Sequence, residues 1–361
     1  MSVFKVEVVK LHTAPHPDAD VLELAQVGGY VAVVRKGEFR TGDLAVYIPE
    51  GAVVPTEILA RLGLEGKLAG PQKNRVKAAR LRGVLSQGLV GSFKALGIEA
   101  REGDDVAERL GITKYEPPTP VALGGEVFNA GRELTLDFDV QNWKSYPDIL
   151  REGEEVIFTE KLHGTCTIVA ILPHKDAHPE AFGERRNILI MSKGLAAKGL
   201  ALKNNERNQS NLYVRATRAL VARIDEMQRG ESDGQDVPNF ILGETFGPGV
   251  QDLTYGKEID FRVFATATGY SGSQQYNRFD FVVWGIRCRL PWYKTVPVLY
   301  RGPFSEEVMR RYTDGPTMMG ADHIREGIVM LADRTDPRIG RVCLKSVSAD
   351  YLTRKNGTEY N

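Results

Sequence analysis

Apolar positions along this chain fall mostly in short runs, not in long helical stretches. Near the start, VFKVEVVKL, VLELAQVGGYVAVVRK and DLAVYIP alternate or run apolar, and Gly28-Gly29, Thr41-Gly42-Asp43 and Pro49-Glu50-Gly51 punctuate them. Short runs parted by turn residues at this spacing predict a small β-barrel over residues 1–112. The stretch ITKYEPPTPVAL (Ile112–Leu123) carries Pro117, Pro118 and Pro120, which continue neither a helix nor a central strand, and predicts a linker over 113–125. Beyond it, residues 126–361 read as a larger α+β domain. Strands are expected around 134–140 and 155–160, and three- and four-residue spacing predicts a helix over Asn204–Gln228. FILGETFG, IDFRVFATAT, FDFVVWGIRC, EGIVMLA and RVCLKSVS then read as further strands.

Composition narrows the setting. A chain of 361 residues exceeds one ordinary core, which agrees with two domains. With 47 basic and 47 acidic residues there is no global excess of charge to signal a polyanion, so local asymmetry must carry that argument. It does so at KLAGPQKNRVKAARLRG, where Lys67, Lys73, Arg75, Lys77, Arg80 and Arg82 occur with no acid. Such a cluster suits phosphate contacts as well as it suits a solvated loop. Cys166, Cys288 and Cys343 form no CxxC pair, which argues against a zinc ribbon or a disulfide framework and fits a reducing compartment. The opening MSVFKVEVVK does not read as a signal peptide, and no run approaches the ~20 apolar residues of a membrane span. A soluble, cytoplasmic protein is expected.

Four charges interrupt the apolar runs of the second domain. Lys161 follows VIFTE, Glu244 lies inside FILGETFG, Glu326 opens EGIVM, and Lys345 follows RVCL. Singly, each reads as a strand-end charge reaching water. Together they point to mutual pairing or to a ligand, because a buried unpaired charge is expensive. A lysine nucleophile has a pKa near ~10.4, so only roughly one in a thousand is unprotonated at neutral pH. A neighbouring cation frees the amine. Carboxylates that hold hydrated Mg²⁺ would supply one cation, and a second lysine another. That inventory suits in-line attack of Lys161 on a nucleotide α-phosphate.

At this point the sequence resembles the covalent nucleotidyltransferases. EKLHG (Glu160–Gly164) is similar to their K-x-(D/H)-G nucleophile motif, in the histidine form of RNA ligases. SKGL (Ser192–Leu195), LGETFG, FDFVVWGI, EGIVM and LKSVS resemble the later motifs in family order. DVQNWKSYPDIL (Asp139–Leu150) is similar to the lead-in of the Deinococcus-type nick-sealing RNA ligases. HPDADVLEL (His16–Leu24) resembles OB-type tRNA-binding modules. The resemblance implies an OB-like barrel followed by an antiparallel-sheet adenylyltransferase domain, ATP and Mg²⁺ or Mn²⁺ as cofactors, and RNA or a nicked RNA-containing duplex as partner. It implies no membrane association and a monomer. Lys161 would carry AMP, Lys345 grip the α-phosphate, and Glu326 and Glu244 hold the metal through water, Glu244 alternatively contacting ribose. Glu160 would orient adenine between Trp284 and Val329, with Phe281 replacing Trp284 if the register differs. Leu162, His163, Gly164, Ser192 and Lys193 complete the nucleotide site, His163 at the ribose or a phosphate. Lys73, Arg75, Lys77 and Arg80 would contact nucleic acid.

The chain departs from the pattern at Cys343, where many relatives carry a first lysine of a K-x-K pair, and at Cys166, where many carry asparagine. Arg341 is the alternative second charge. Sixteen residues follow Lys345, too few for the trailing OB barrel of DNA ligases and capping enzymes. Rival readings are a GTP-using capping-type enzyme and a non-catalytic OB-fold RNA-binding protein. The four charges argue against the second.

Overall fold

In the computed structural model, which describes residues 4–118, 123–136, 138–229, 236–276, 294–355 and 357–358, the N-terminal alternation becomes two three-stranded antiparallel sheets. Glu7–Lys10 pairs with Leu44–Ile48, which pairs with Leu89–Gly91; His12–Pro15, Leu22–Val27 and Tyr30–Arg35 form a meander. Period-two alternation sends Val6, Val8, Val46 and Ile48 into one core. Gly28 and Gly29 make the two-residue turn joining Val27 to Tyr30, with Gly28 at φ 55°. A Cβ on Gly29 would stand 2.6 Å from the Lys144 Cα, so this turn is also where the first domain touches the second.

The proline-rich connection is anchored at both ends. Thr113–Lys114 pairs with Ala52–Val53, and the Leu123 and Gly124 carbonyls accept hydrogen bonds from the Asn211 side chain.

The second domain is built on two five-stranded sheets. One runs in the order Gln141–Asn142, Gly340–Val347, Gly327–Asp336, Glu155–Lys161, Val298–Pro303, antiparallel except for its first pair. The other runs Ile188–Ser192, Thr165–Ile171, Asn239–Phe246, Asp260–Thr268, Gln275–Tyr276, all antiparallel. The second sheet is covered on both faces. Val169, Ile190 and Ile241 meet Leu212, Leu220 and Ile224 of helix Leu212–Arg229, while Ile168, Leu189 and Phe240 meet Phe128, Leu134 and Leu136. Among the described residues no helix is long and apolar enough to cross a membrane.

Two expectations change. The helix expected from Asn204 begins at Leu212, after a 3-10 turn over Glu206–Ser210. Asn208 bonds to the Glu126 amide and to the Glu126 and Lys203 carbonyls, and Asn211 sits extended with its side chain on the Tyr213 amide. Asparagines that bond to the backbone compete with helical pairing. Instead of a strand near 134–140, a 3-10 turn spans Arg132–Leu134 and a two-residue strand follows at Gln141–Asn142, because Leu134 and Leu136 plug a core singly. The strand expected at FDFVVWGIRC, with Phe281 and Trp284, lies outside the described residues.

Candidate active site

Strand Glu155–Lys161 ends at Lys161, the chain turns through Leu162-His163-Gly164, and Thr165–Ile171 continues in the other sheet. The nucleophile-like motif is therefore the crossover between the sheets. Lys161 pairs in register with Gly327, which brings Glu326 beside it; Lys345 pairs with Val329 one strand further, and Cys166 pairs with Glu244 in the second sheet. Three of the four positions thus line one cleft, and Glu326 stands beside it, paired to Lys161.

The cleft holds a cavity of about 500 Å³. Lys161, Glu244 and Lys345 line it, as do Glu160, Leu162, Lys193 and Val329. Both cysteines at the departing positions, Cys166 and Cys343, line it too, together with Arg341. Lys161 Nζ lies 2.7 Å from Glu326 Oε1. Burial pushes the Lys161 amine down, but the Glu326 and Glu244 carboxylates outweigh it and hold its pKa above the ordinary lysine value. Burial pushes Glu244 up to about 8, against the pull of Lys161 and of the Gly164 amide that it accepts. Burial and the neighbouring Lys161 both depress Lys345. Lys193 is tied to Asp139 at 3.1 Å, and its ammonium lies 5.2 Å from the Phe138 ring centre.

Glu160 is 1% exposed, and its carboxylate is already engaged: Thr317 donates to one oxygen and the Met318 amide to the other at 2.8 Å. Val329 and Leu331 from one sheet and Phe264 and Ala265 from the other give the cavity an apolar wall. Phe264 and Phe138, 6.1 Å apart between ring centres, drew no notice in the sequence because they look like ordinary core aromatics.

His163, Gly164 and Ser192 do not line the cavity. The Ser192 hydroxyl caps the short helix Lys193–Ala196 by accepting from the Leu195 amide. Gly164 is required by space, since a Cβ there would meet the Thr245 carbonyl at 2.2 Å. His163, expected at a ribose or phosphate, turns the other way because polar partners wait behind the crossover. Its Nε2 lies 2.8 Å from Asp252 Oδ1 and its Nδ1 2.8 Å from the Tyr351 hydroxyl, while its backbone amide donates to the Tyr255 hydroxyl at 2.7 Å. A carboxylate only accepts, so Nε2 carries the proton toward Asp252 and Nδ1 accepts from Tyr351. Burial depresses the His163 pKa, consistent with that neutral ring. Burial alone would raise Asp252, but bonds from Arg354, Thr358 and His163 hold it well below the usual carboxylate range. None of Asp252, Tyr255, Tyr351 and Arg354 stands out by apolar periodicity. The available signal is the three-residue spacing of Tyr351 and Arg354, which stacks the guanidinium 3.7 Å from the tyrosine ring centre.

Among the described residues no three His, Cys, Asp or Glu side chains converge tightly enough to grip a bare metal ion. The carboxylate oxygens of Glu244 and Glu326 at the cleft are instead a donor set suited to a hydrated hard ion held through water.

Of the basic segment, Lys73 and Lys77 are exposed. The Arg75 guanidinium stacks 3.6 Å from the Tyr115 ring centre, and Arg80 bonds Asp350 of the second domain at 2.6 Å.

A leading set of small antiparallel sheets and a two-sheet domain with a charged cleft are what the comparisons with known proteins match. The family model described as RNA ligase matches residues 154–347, and this chain belongs to that family; an OB-fold domain model matches residues 2–92. Solved structures of Naegleria gruberi RNA ligase share the fold over both domains. A variant of it with ATP and Mn is 24% identical, with 96% of this chain and 98% of that chain covered at a TM-score of 0.74. The same ligase with PPi, also 24% identical, covers 97% and 98% at 0.75. Another variant with AMP and Mn, again 24% identical, covers 97% and 98% at 0.76. A curated relative, the phenylalanine–tRNA ligase beta subunit of Methylococcus capsulatus, is 29% identical over 187 residues. That match takes in 50% of this chain but 20% of the relative, so the chain spans about a fifth of that protein's length.

Proposed function

We propose that this RNA ligase uses ATP and works through a lysine–AMP intermediate, sealing 3′-hydroxyl/5′-phosphate breaks in nicked duplexes whose 3′-hydroxyl strand is RNA. The observation that carries the reading is the Lys161 amine at a 500 Å³ cavity, paired to Glu326 at 2.7 Å and joined there by Glu244 and Lys345. Naegleria gruberi RNA ligase, similar in fold, has been solved with ATP and Mn and with AMP and Mn, and that supports the choice of nucleotide and of a divalent ion.

In the first step Lys161 Nζ bonds to the ATP α-phosphorus while the α–β bridging P–O bond breaks and pyrophosphate leaves. Adenine meets the apolar wall of Val329 and Phe264, with Leu162 and Ala265 alongside; the Trp284 expected there lies outside the described residues. Burial and Lys161 loosen the proton of Lys345, and in its charged form Lys345 would meet the α-phosphate. Attack needs the neutral amine, so the hold of Glu326 on the ammonium must loosen. A hydrated divalent ion at Glu326 and Glu244 would supply the competing positive charge. Second, AMP passes to the 5′-phosphate; third, the 3′-hydroxyl displaces it and closes the phosphodiester.

Incubation with α-labelled ATP and Mg²⁺ is expected to label the wild type and to leave Lys161→Ala blank. Labelling by GTP alone would return the capping-type reading. On nicked duplexes, sealing is expected with ribose at the 3′-hydroxyl and weak with deoxyribose; equal sealing of both would overturn the strand preference.

A further inference from the structure

Resting on the adenylyl-transfer reading above, the geometry points to Tyr351 and Arg354 as positioning residues that hold the Lys161–Glu326 pair in place through His163 and Asp252. Glu326 has two oxygens. One meets Lys161 at 2.7 Å, and the other faces His163 Nδ1 at 3.8 Å. The imidazole is thus the wall against which the Glu326 carboxylate rests. An imidazole held on one edge can swing; one bonded on both edges cannot. Tyr351 holds one edge and Asp252 the other.

Asp252 is itself clamped from the C-terminal segment. Arg354 Nε donates to Oδ2 at 2.9 Å and Nη2 to Oδ1 at 3.0 Å, the two-pronged geometry that fixes a carboxylate plane. The Thr358 amide and hydroxyl each donate to Oδ1 at 2.8 Å. The single proton of that hydroxyl is shared with the Gln251 side-chain oxygen at 2.9 Å, and Gln251 donates to the Gly164 carbonyl at 3.2 Å. The segment after Lys345 therefore secures both the side chain and the backbone of the crossover that presents Lys161. Neither these groups nor Glu326 lines the cavity, so they act on the reaction only through Lys161, which does and which Glu326 holds. Buried polar networks of this kind specify one arrangement more than they add stability.

The test is single-turnover labelling of the full-length enzyme with α-labelled ATP and Mg²⁺. The first-order rate at saturating ATP and the half-saturating concentration are read separately, with a melting curve for each protein. Tyr351→Phe removes one hydroxyl and keeps the ring. It is expected to slow labelling about ten- to a hundredfold, the usual loss for an outer-shell partner, with the half-saturating concentration unchanged. In a His163→Ala background the same change is expected to cost nothing further, because its route to Glu326 is gone. A wild-type rate in Tyr351→Phe, or losses that multiply in the double variant, would overturn the proposal. Should Tyr351→Phe melt early, Arg354→Lys decides: it keeps the charge but loses the fork, and a folded protein with a slowed rate supports the proposal while an unaltered rate overturns it. Failure of the wild type itself to label would remove the adenylyl-transfer reading and this one with it. Normal wild-type labelling alongside unaffected variants removes only this one.

Discussion

Lys345 and Glu244 show how one cleft treats two charges differently. Lys345 is buried near another cation and has its proton loosened; Glu244 is buried near a carboxylate and a lysine and keeps its proton up to about pH 8. Lys345→Ala is expected to slow labelling by about 10²–10³-fold, the loss typical of one preorganised electrostatic contact, as read by adduct formation at saturating ATP. For Glu244 the folded pKa lies above the ordinary carboxylate value, so between roughly pH 4.5 and 8 the folded protein binds more protons than the unfolded one. Its contribution to stability is full below that window and is lost as pH rises through it. Melting curves in chelator should therefore fall less between pH 5 and 8 for Glu244→Gln than for the wild type. The four interrupting charges were legible from sequence because a charge inside an apolar strand is unusual. The positions of His163 and Glu160 were not, because a motif fixes neighbours along the chain and says nothing about Asp252 or Thr317 arriving from elsewhere.

At the level of elements, the crossover is the sensitive piece. Strand pairing fixes Lys161 opposite Gly327 and sends Thr165 into the other sheet, so the turn between them has no freedom to shift. Gly164→Ala would drive a Cβ into a backbone carbonyl at 2.2 Å. It is expected to cost about 1–3 kcal/mol of stability and to suppress labelling, checked by denaturant titration beside the adduct assay. Strands read well from the sequence where apolar residues alternate or run together, as at FILGETFG and IDFRVFATAT, which become Asn239–Phe246 and Asp260–Thr268. The helix start read badly. Spacing alone favours continuing back to Asn204, while Asn208 and Asn211 are committed to distant backbone carbonyls that only the fold brings near.

Over the whole molecule, specific contacts join the two domains. The Gly29 amide donates to the Lys144 carbonyl at 2.7 Å, Tyr30 and Ser145 share a hydroxyl bond at 3.0 Å, and Arg80 meets Asp350. The basic run, which suits phosphate contacts as well as a solvated loop, divides accordingly, with Arg75 on Tyr115 and Arg80 on the second domain. Lys73 and Lys77 are exposed members of the run. Replacing both by alanine is expected to weaken nick sealing and flatten its salt dependence, each lost phosphate contact removing roughly 0.9 from the slope of log affinity against log salt, while leaving adduct formation intact. Equal loss in both assays would instead make the segment part of the catalytic unit. Sequence alone could not divide this run, since the partners of Arg75 and Arg80 lie 40 and 270 positions away. The account as a whole stands on one amine. Peptide mapping by mass spectrometry after incubation with ATP and Mg²⁺ is expected to find an adenylyl group on the peptide carrying Lys161 and on no other. An adduct elsewhere, or one that persists in Lys161→Ala, would contradict it.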